Sequence, residues 1–230
     1  MKSLNQNQLW RWFGVLGIVA VSTIALDLNQ FSAIAQPQLN CNNPRTQREL
    51  NACEQQRWEA ADLELNQIYQ SLIPQLSNNR RQQLVKAQRA WIAFRDSECA
   101  FHSSVAEGGT MQPMLYYGCL ANLTDIRNAE LYRYERGQIP PALGENYQIA
   151  DRQLNAVYQQ LMDRLPSKRK NLLKTAELDW IEYRDALCEF ERSGGGNAGF
   201  NFCRIRLTEV RVEQLEAHLD FLSQIMHYKA

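Results

Sequence analysis

The chain has 230 residues, and its 25 lysines and arginines balance its 25 aspartates and glutamates. A neutral chain has no general electrostatic pull toward nucleic acid or an anionic membrane, which argues against a charge-driven binder of either. Only three histidines and no Cys-x-x-Cys pair accompany the six cysteines, which argues against zinc and against thioredoxin-type redox chemistry, and no metal or cofactor is expected.

The first segment reads as an export signal. Lys2 and Arg11 precede an apolar run over residues 13–28, interrupted by Ser22, Thr23 and Asp27, and Ala33-Ile34-Ala35 then gives a small-x-small cleavage pattern before Gln36. The run is shorter than the roughly 18 uninterrupted apolar residues of a membrane span. The expectation is a signal peptide over residues 1–35, cut between Ala35 and Gln36, with no stable membrane anchor afterwards and a periplasmic or secreted destination. Cleavage removes Lys2, Arg11 and Asp27 and leaves 23 basic and 24 acidic residues, a net charge of −1. Cys41 follows Gln38-Leu39-Asn40, well past the apolar run, so no lipobox is present.

Beyond the signal, Thr46-Gln47-Arg48-Glu49 is a capping box that opens a first helix carrying Ala61, Leu65, Ile68, Tyr69 and Leu72 on one face. Pro74 and Ser77 separate it from a second helix with Leu84, Ala87, Trp91 and Phe94 in line. A glycine-containing connection at Gly108-Gly109 leads to a third helix over about residues 114–136. Gly137 and Pro140-Pro141 then end the pattern, and a domain boundary falls near residue 140.

The same three-helix pattern recurs. Shifted by 89, Ala61-Asp62-x-x-Leu65-Asn66-x-x-Tyr69 matches Ala150-Asp151-x-x-Leu154-Asn155-x-x-Tyr158, and Trp91-Ile92-x-Phe94-Arg95-Asp96-x-x-Cys99 matches Trp180-Ile181-x-Tyr183-Arg184-Asp185-x-x-Cys188. Past the glycines the shift falls to 84, where Cys119, Leu123, Thr124 and Arg127 match Cys203, Leu207, Thr208 and Arg211. The second copy spans residues 141–230, with a flexible loop expected at Gly194-Gly195-Gly196 and a third helix over about 200–227. No stretch alternates with period two. The fold expected is all-α: two tandem three-helix units, 36–140 and 141–230, stabilised by disulfides.

An even cysteine count after an export signal reads as a disulfide framework, although six cysteines allow fifteen connectivities. The helical positions favour Cys99–Cys119 and Cys188–Cys203, each clamping the loop between second and third helices. Cys41–Cys53 would tie the leading segment to the first helix, and the second copy has no equivalent.

Trp91, Arg95 and Asp96, with Trp180, Arg184 and Asp185, are the most specific motif. Trp and Arg are common interface anchors, but Trp91 shares its face with Leu84 and Ala87, so a structural role is expected. In that role Arg95 pairs with Asp62, Arg184 with Asp151, and Arg127 and Arg211 belong to the same architectural set. Asp62 and Asp96 are a poor glycosidase pair, because neighbouring arginines hold them ionised where an acid catalyst needs a raised pKa. No catalytic residue is expected, and the protein is read as a non-enzyme.

The combined pattern resembles the LprI-type lysozyme inhibitor family. It runs through Cys41, Thr46-Gln47-x-Glu49-x-Asn51-x-Cys53, Ala61-Asp62-x-x-Leu65-Asn66, Ala87-Gln88-Arg89-Ala90-Trp91-Ile92-x-Phe94-Arg95-Asp96-x-x-Cys99, Gly108-Gly109-Thr110, Cys119 and Thr124-x-x-Arg127. The second copy keeps the tryptophan core but lacks the opening cysteines and the Thr-Gln element. The resemblance implies a small exported helical protein that inhibits lysozyme or another muramidase by non-covalent occlusion. The alternative is a non-inhibitory structural or adaptor module of the envelope, binding another protein or peptidoglycan. An occluding inhibitor needs a rigidly held loop, and the candidate carries Glu107, Met111, Met114, Tyr116 and Tyr117.

Overall fold

The computed structural model describes residues 39–141 and 146–228, except for the side chains of 195–198 and 225–228. The expected signal peptide, its cleavage point at Ala35 and Gln36, and the start of the second unit at residues 142–145 lie outside the described residues. Among the described residues there is no strand. The helices are α1 (Gln47–Leu72), α2 (Asn78–Ser103), α3 (Gln112–Glu135), α4 (Tyr147–Arg164) and α5 (Ser167–Tyr228), with short 3-10 turns at Ile73–Gln75 and Ser104–Ala106. No described helix is long and apolar enough to cross a membrane.

Local chemistry explains the starts and stops. Thr46 caps α1 through a complete capping box: the Glu49 N–H donates to Thr46 Oγ1 at 3.2 Å, and the Thr46 N–H donates to Glu49 Oε2 at 3.0 Å. Asn146 caps α4 by accepting from the Gln148 and Ile149 N–H groups. Gly137 takes φ +70° one residue beyond the C-cap of α3, the left-handed position that glycine fills without strain.

The second copy turns at its glycine-containing stretch, where a connection is expected. Helical residues extend from Ser167 to Tyr228 as two arms, and the chain reverses direction between them. The Cys188 and Cys203 Cα atoms lie 5.4 Å apart over 15 residues, where straight helix would separate them by about 22 Å. Gly199 lies against the Glu191 carbonyl, 3.4 Å from where a Cβ would stand. Gly194 lies close to a side chain of the first half. A Cβ there would come within 2.9 Å of the Arg80 guanidinium, which stacks on Phe190 at 4.8 Å. The two arms of α5 therefore occupy the places that α2 and α3 occupy in the first half.

The disulfides are Cys41–Cys53, Cys99–Cys119 and Cys188–Cys203, and no cysteine among the described residues is free. Closing loops of this length stabilises by about 3 kcal/mol each in the chain-entropy account.

Helix α1 packs on α3, α4 on α5, and α2 on both α3 and α5. One apolar core runs through both halves, from Leu65, Leu84 and Phe101 to Leu173, Phe190 and Leu215. The halves meet reciprocally. Phe94 stacks on its counterpart Tyr183, with centroids 5.9 Å apart and planes within 5°. Arg127 of the first half lies over Tyr183 at 5.7 Å, and Arg211 of the second lies over Phe94 at 5.2 Å. Arg80 stacks on Phe190 and Arg169 on Phe101; Tyr134 meets Phe190 edge-on, and His218 meets Phe101 edge-on. Each contact has its mate with the halves exchanged, which is an isologous interface built within one chain.

Buried charge accompanies this seam. Arg127 and Arg211 are fully buried. Arg127 donates to Gln88 Oε1 at 3.0 Å and to Glu130 Oε2 at 2.9 Å. Arg211 donates to Glu177 Oε2 at 3.0 Å and lies 2.9 Å from Glu98 Oε2. The Glu98 contact is an ion pair off the direction of a hydrogen bond, since that oxygen has no directional partner. Burial by itself would raise the Glu98 pKa, but the charge of Arg211 and the His218 hydrogen bond prevail and hold it at about 2.

Two outcomes follow. Phe94→Ala should cost about 3–5 kcal/mol in urea unfolding, and both halves should unfold in one transition by tryptophan fluorescence and by circular dichroism; two separated transitions would contradict the shared core. A carboxyl with a depressed folded pKa contributes stability above its unfolded value near 4.5, and that stability fades as the pH falls toward about 2. Glu98→Gln should therefore lose stability at neutral pH and show a flatter decline from pH 5 to pH 2 than the parent.

Candidate protein-binding face

The loop after α2 is shorter than the sequence suggests. It covers residues 104–111, and Met114, Tyr116 and Tyr117 stand on the first turns of α3. Gly108 has φ +72°, and its N–H donates to Gln112 Oε1 at 2.9 Å. The Gly109 N–H donates to the Ala106 carbonyl at 2.9 Å, closing the turn.

The N-terminus of α1 fixes this turn from the side. Asn51 Nδ2 donates to the Thr110 carbonyl at 3.0 Å. Gln47 Nε2 donates to Asn51 Oδ1 at 2.8 Å and meets Met114 Sδ at 3.7 Å. The Thr-Gln-x-Glu-x-Asn run thus does two jobs: Thr46 and Glu49 start the helix, and Gln47 and Asn51 hold the loop. Cys41–Cys53 binds the preceding segment to the same turns, and Cys99–Cys119 closes the loop's base. Arg57 adds a clamp between α1 and α3, donating to the Gly118 carbonyl at 3.1 Å and to Asn122 Oδ1 at 2.9 Å.

What this frame presents is apolar and aromatic. Met111 is 48% exposed at the loop tip. Trp58 and Tyr117 lie 5.6 Å apart, and Tyr116 meets Tyr117 edge-on at 5.7 Å. Burial, then the Asp96 carboxylate, pushes the Tyr116 hydroxyl pKa up, so it stays a neutral donor. Beside the loop opens a cleft of about 460 Å³, bounded by Ser103, Glu107, Gln112, Tyr116, Tyr117 and Lys168. Lys168 of the second half pairs with Glu107 across it.

The tryptophans themselves are buried, although Asp96 of the first motif borders this face. Trp91 and Trp180 are each only 3% exposed. Arg95 covers Trp91 at 5.1 Å and donates to Asp62 Oδ1 at 3.2 Å and to Asp96 Oδ1 at 2.9 Å. Arg184 covers Trp180 at 5.0 Å and pairs with Asp185, but it does not reach Asp151 as expected. Tyr147 stands between them, accepting from Arg184 Nη1 at 3.3 Å and donating to Asp151 Oδ1 at 3.0 Å. The first copy has Trp58 at this position, which offers no oxygen to intervene, and the direct pair forms. Asp62 and Asp96 both face one guanidinium, the opposite of a separated acid pair. No group of three or more metal-ligating side chains occurs among the described residues.

Sequence reasoning missed the buried Glu98, Glu130, Glu191, Arg206 and His218, the part-buried Glu177, and the role of Gln88. Glu98 was the readable one, since it falls four residues after Phe94 and seven after Trp91, on the apolar stripe of α2.

The profile of the lysozyme inhibitor LprI family matches residues 40–131 and again 137–215. The chain belongs to the lysozyme inhibitor LprI family. That is a family of inhibitors rather than of enzymes, and its profile spans the tandem copies. An uncharacterized protein of Rhizobium meliloti (strain 1021) is 39% identical over 109 residues, 42% of this chain and 78% of that protein. The crystal structure of an uncharacterized protein from Burkholderia thailandensis shares the fold at TM-score 0.54 and 21% identity, covering 75% of this chain and 87% of that one.

Asn51→Ala should free the Thr110 carbonyl and speed amide hydrogen exchange across residues 108–111, while global stability falls by about 1 kcal/mol. Unchanged exchange there would show that the turn does not depend on α1.

Proposed function

We propose that the protein is exported and inhibits lysozyme or a related muramidase by non-covalent occlusion, through the loop 104–111 and the adjoining first turns of α3. The observation that carries this reading is the coincidence of two things in the first copy. It has the longer of the two family matches, and it has the braced loop with an exposed apolar tip. The second half lacks the cysteine pair and the Thr-Gln element at its start. Three disulfides fit an oxidising compartment, and the basic, apolar and small-residue order of residues 1–35 fits an export signal. A braced loop has already given up most of its conformational entropy, so more of its contact energy appears as affinity. In this reading the units 36–140 and 141–230 have different work: the first binds and the second completes the core.

The test is a dose–response of animal-type lysozyme on cell-wall substrate with purified, oxidised residues 36–230. Expected are stoichiometric inhibition, its loss on reduction, and a weakening of about tenfold or more in Met111→Glu. No inhibition by folded protein in large molar excess contradicts the reading and favours an envelope adaptor.

A further inference from the structure

The reciprocal seam allows one half to be used as a template for the other. In the second half Arg206 enters a buried site, where Nη1 donates to Glu130 Oε1 at 3.1 Å and Nη2 to Glu191 Oε1 at 2.5 Å. Exchanging the halves turns Arg206 into Asn122, Glu130 into Gln214, Glu191 into His102 and Tyr134 into His218. At that exchanged place lies an open cavity of about 260 Å³, bounded by His102, Asn122, Leu123, Gln214, His218 and Phe221, with Glu98 at its floor. Asparagine stops short where arginine would cross, and the cavity has the position of the missing guanidinium and its stem.

Charge points the same way. Around Arg127, two cations (Arg127 and Arg206) meet two carboxylates (Glu130 and Glu191). Around Arg211, two carboxylates (Glu98 and Glu177) meet one guanidinium, and His218 touches Glu98 at 2.6 Å. The cavity side is thus poorer in fixed positive charge than its twin by one arginine. Burial first, and then the neighbouring His218, lowers the His102 pKa, which leaves a neutral ring able to accept a hydrogen bond. His102 stacks with Phe221 at 6.1 Å, giving an aromatic wall of the kind that arginines cover elsewhere in this protein. Arg57 donates to Asn122 but is held at the surface by Glu54 and Asp125 and does not line the cavity.

We propose that this cavity is a receptor for an arginine side chain presented by a protein partner, its guanidinium taking the place that Arg206 takes in the other half. The stem would lie along Leu123 and Phe221, and the guanidinium would meet Glu98, Gln214 and His102. The proposal stands on the internal comparison and does not depend on which enzyme the loop meets.

Isotope-labelled, oxidised residues 36–230 titrated with N-acetyl-arginine amide should show saturable chemical-shift changes at His102, Asn122 and Gln214, with affinity roughly millimolar as expected for so small a ligand. N-acetyl-lysine amide should bind more weakly. Asn122→Arg changes an exposed position, should keep the helical circular dichroism, and should fill the cavity from within. Its affinity for the arginine probe should drop about tenfold or more, the scale of a charged hydrogen bond. Equal response to arginine and lysine probes, shifts that never saturate, or undiminished arginine binding in folded Asn122→Arg would each overturn the proposal.

Discussion

The structure depends on the reciprocal packing of two copies across the Phe94–Tyr183 stack. Neither half could bury this seam alone: Phe101 needs Arg169 and His218 from the second half, and Phe190 needs Arg80 and Tyr134 from the first. A unit of under about 100 residues has little core of its own. Duplication solves that problem with one set of contacts used twice. Arg127 and Arg211 are costly to bury, and each is met by a carboxylate from its own helix and by a polar side chain of α2: Arg127 by Glu130 and Gln88, Arg211 by Glu177 and Glu98.

Symmetry at the seam leaves freedom at the ends. The first copy carries an extra disulfide, the Gln47 and Asn51 hold on its loop, and a glycine turn at Gly108. In the second copy the chain doubles back between Glu191 and Gly199 without that hold, with Gly194 close against Arg80. Similarly, Arg206 closes one polar site and Asn122 leaves its twin open. The two halves share an architecture and differ where a partner could reach them, so function is expected to be one-sided.

Much of the fold was legible because it rests on local rules. The capping box at Thr46, the 3.6-residue stripes and the two shifts of 89 and 84 all follow from near neighbours in sequence. The reciprocal association was not legible, because a repeat shows which residues are equivalent and not which ones touch. Tyr147 between Arg184 and Asp151 was hidden for a similar reason: its counterpart is Trp58, and only the packed geometry shows that a hydroxyl reaches between the pair. At the candidate face, the loop residues were readable as a group. The hold exerted on them by Gln47 and Asn51, about sixty positions away in sequence, was not.

One-sided binding from a two-fold core is the central claim, and a hydrogen-exchange footprint of the oxidised protein with animal-type lysozyme tests it most directly. The account predicts slowed exchange across residues 104–118 and the first turns of α1, with the counterpart segment of α5 unchanged. Protection centred on α5 and α4, or spread equally over both ends, would contradict it.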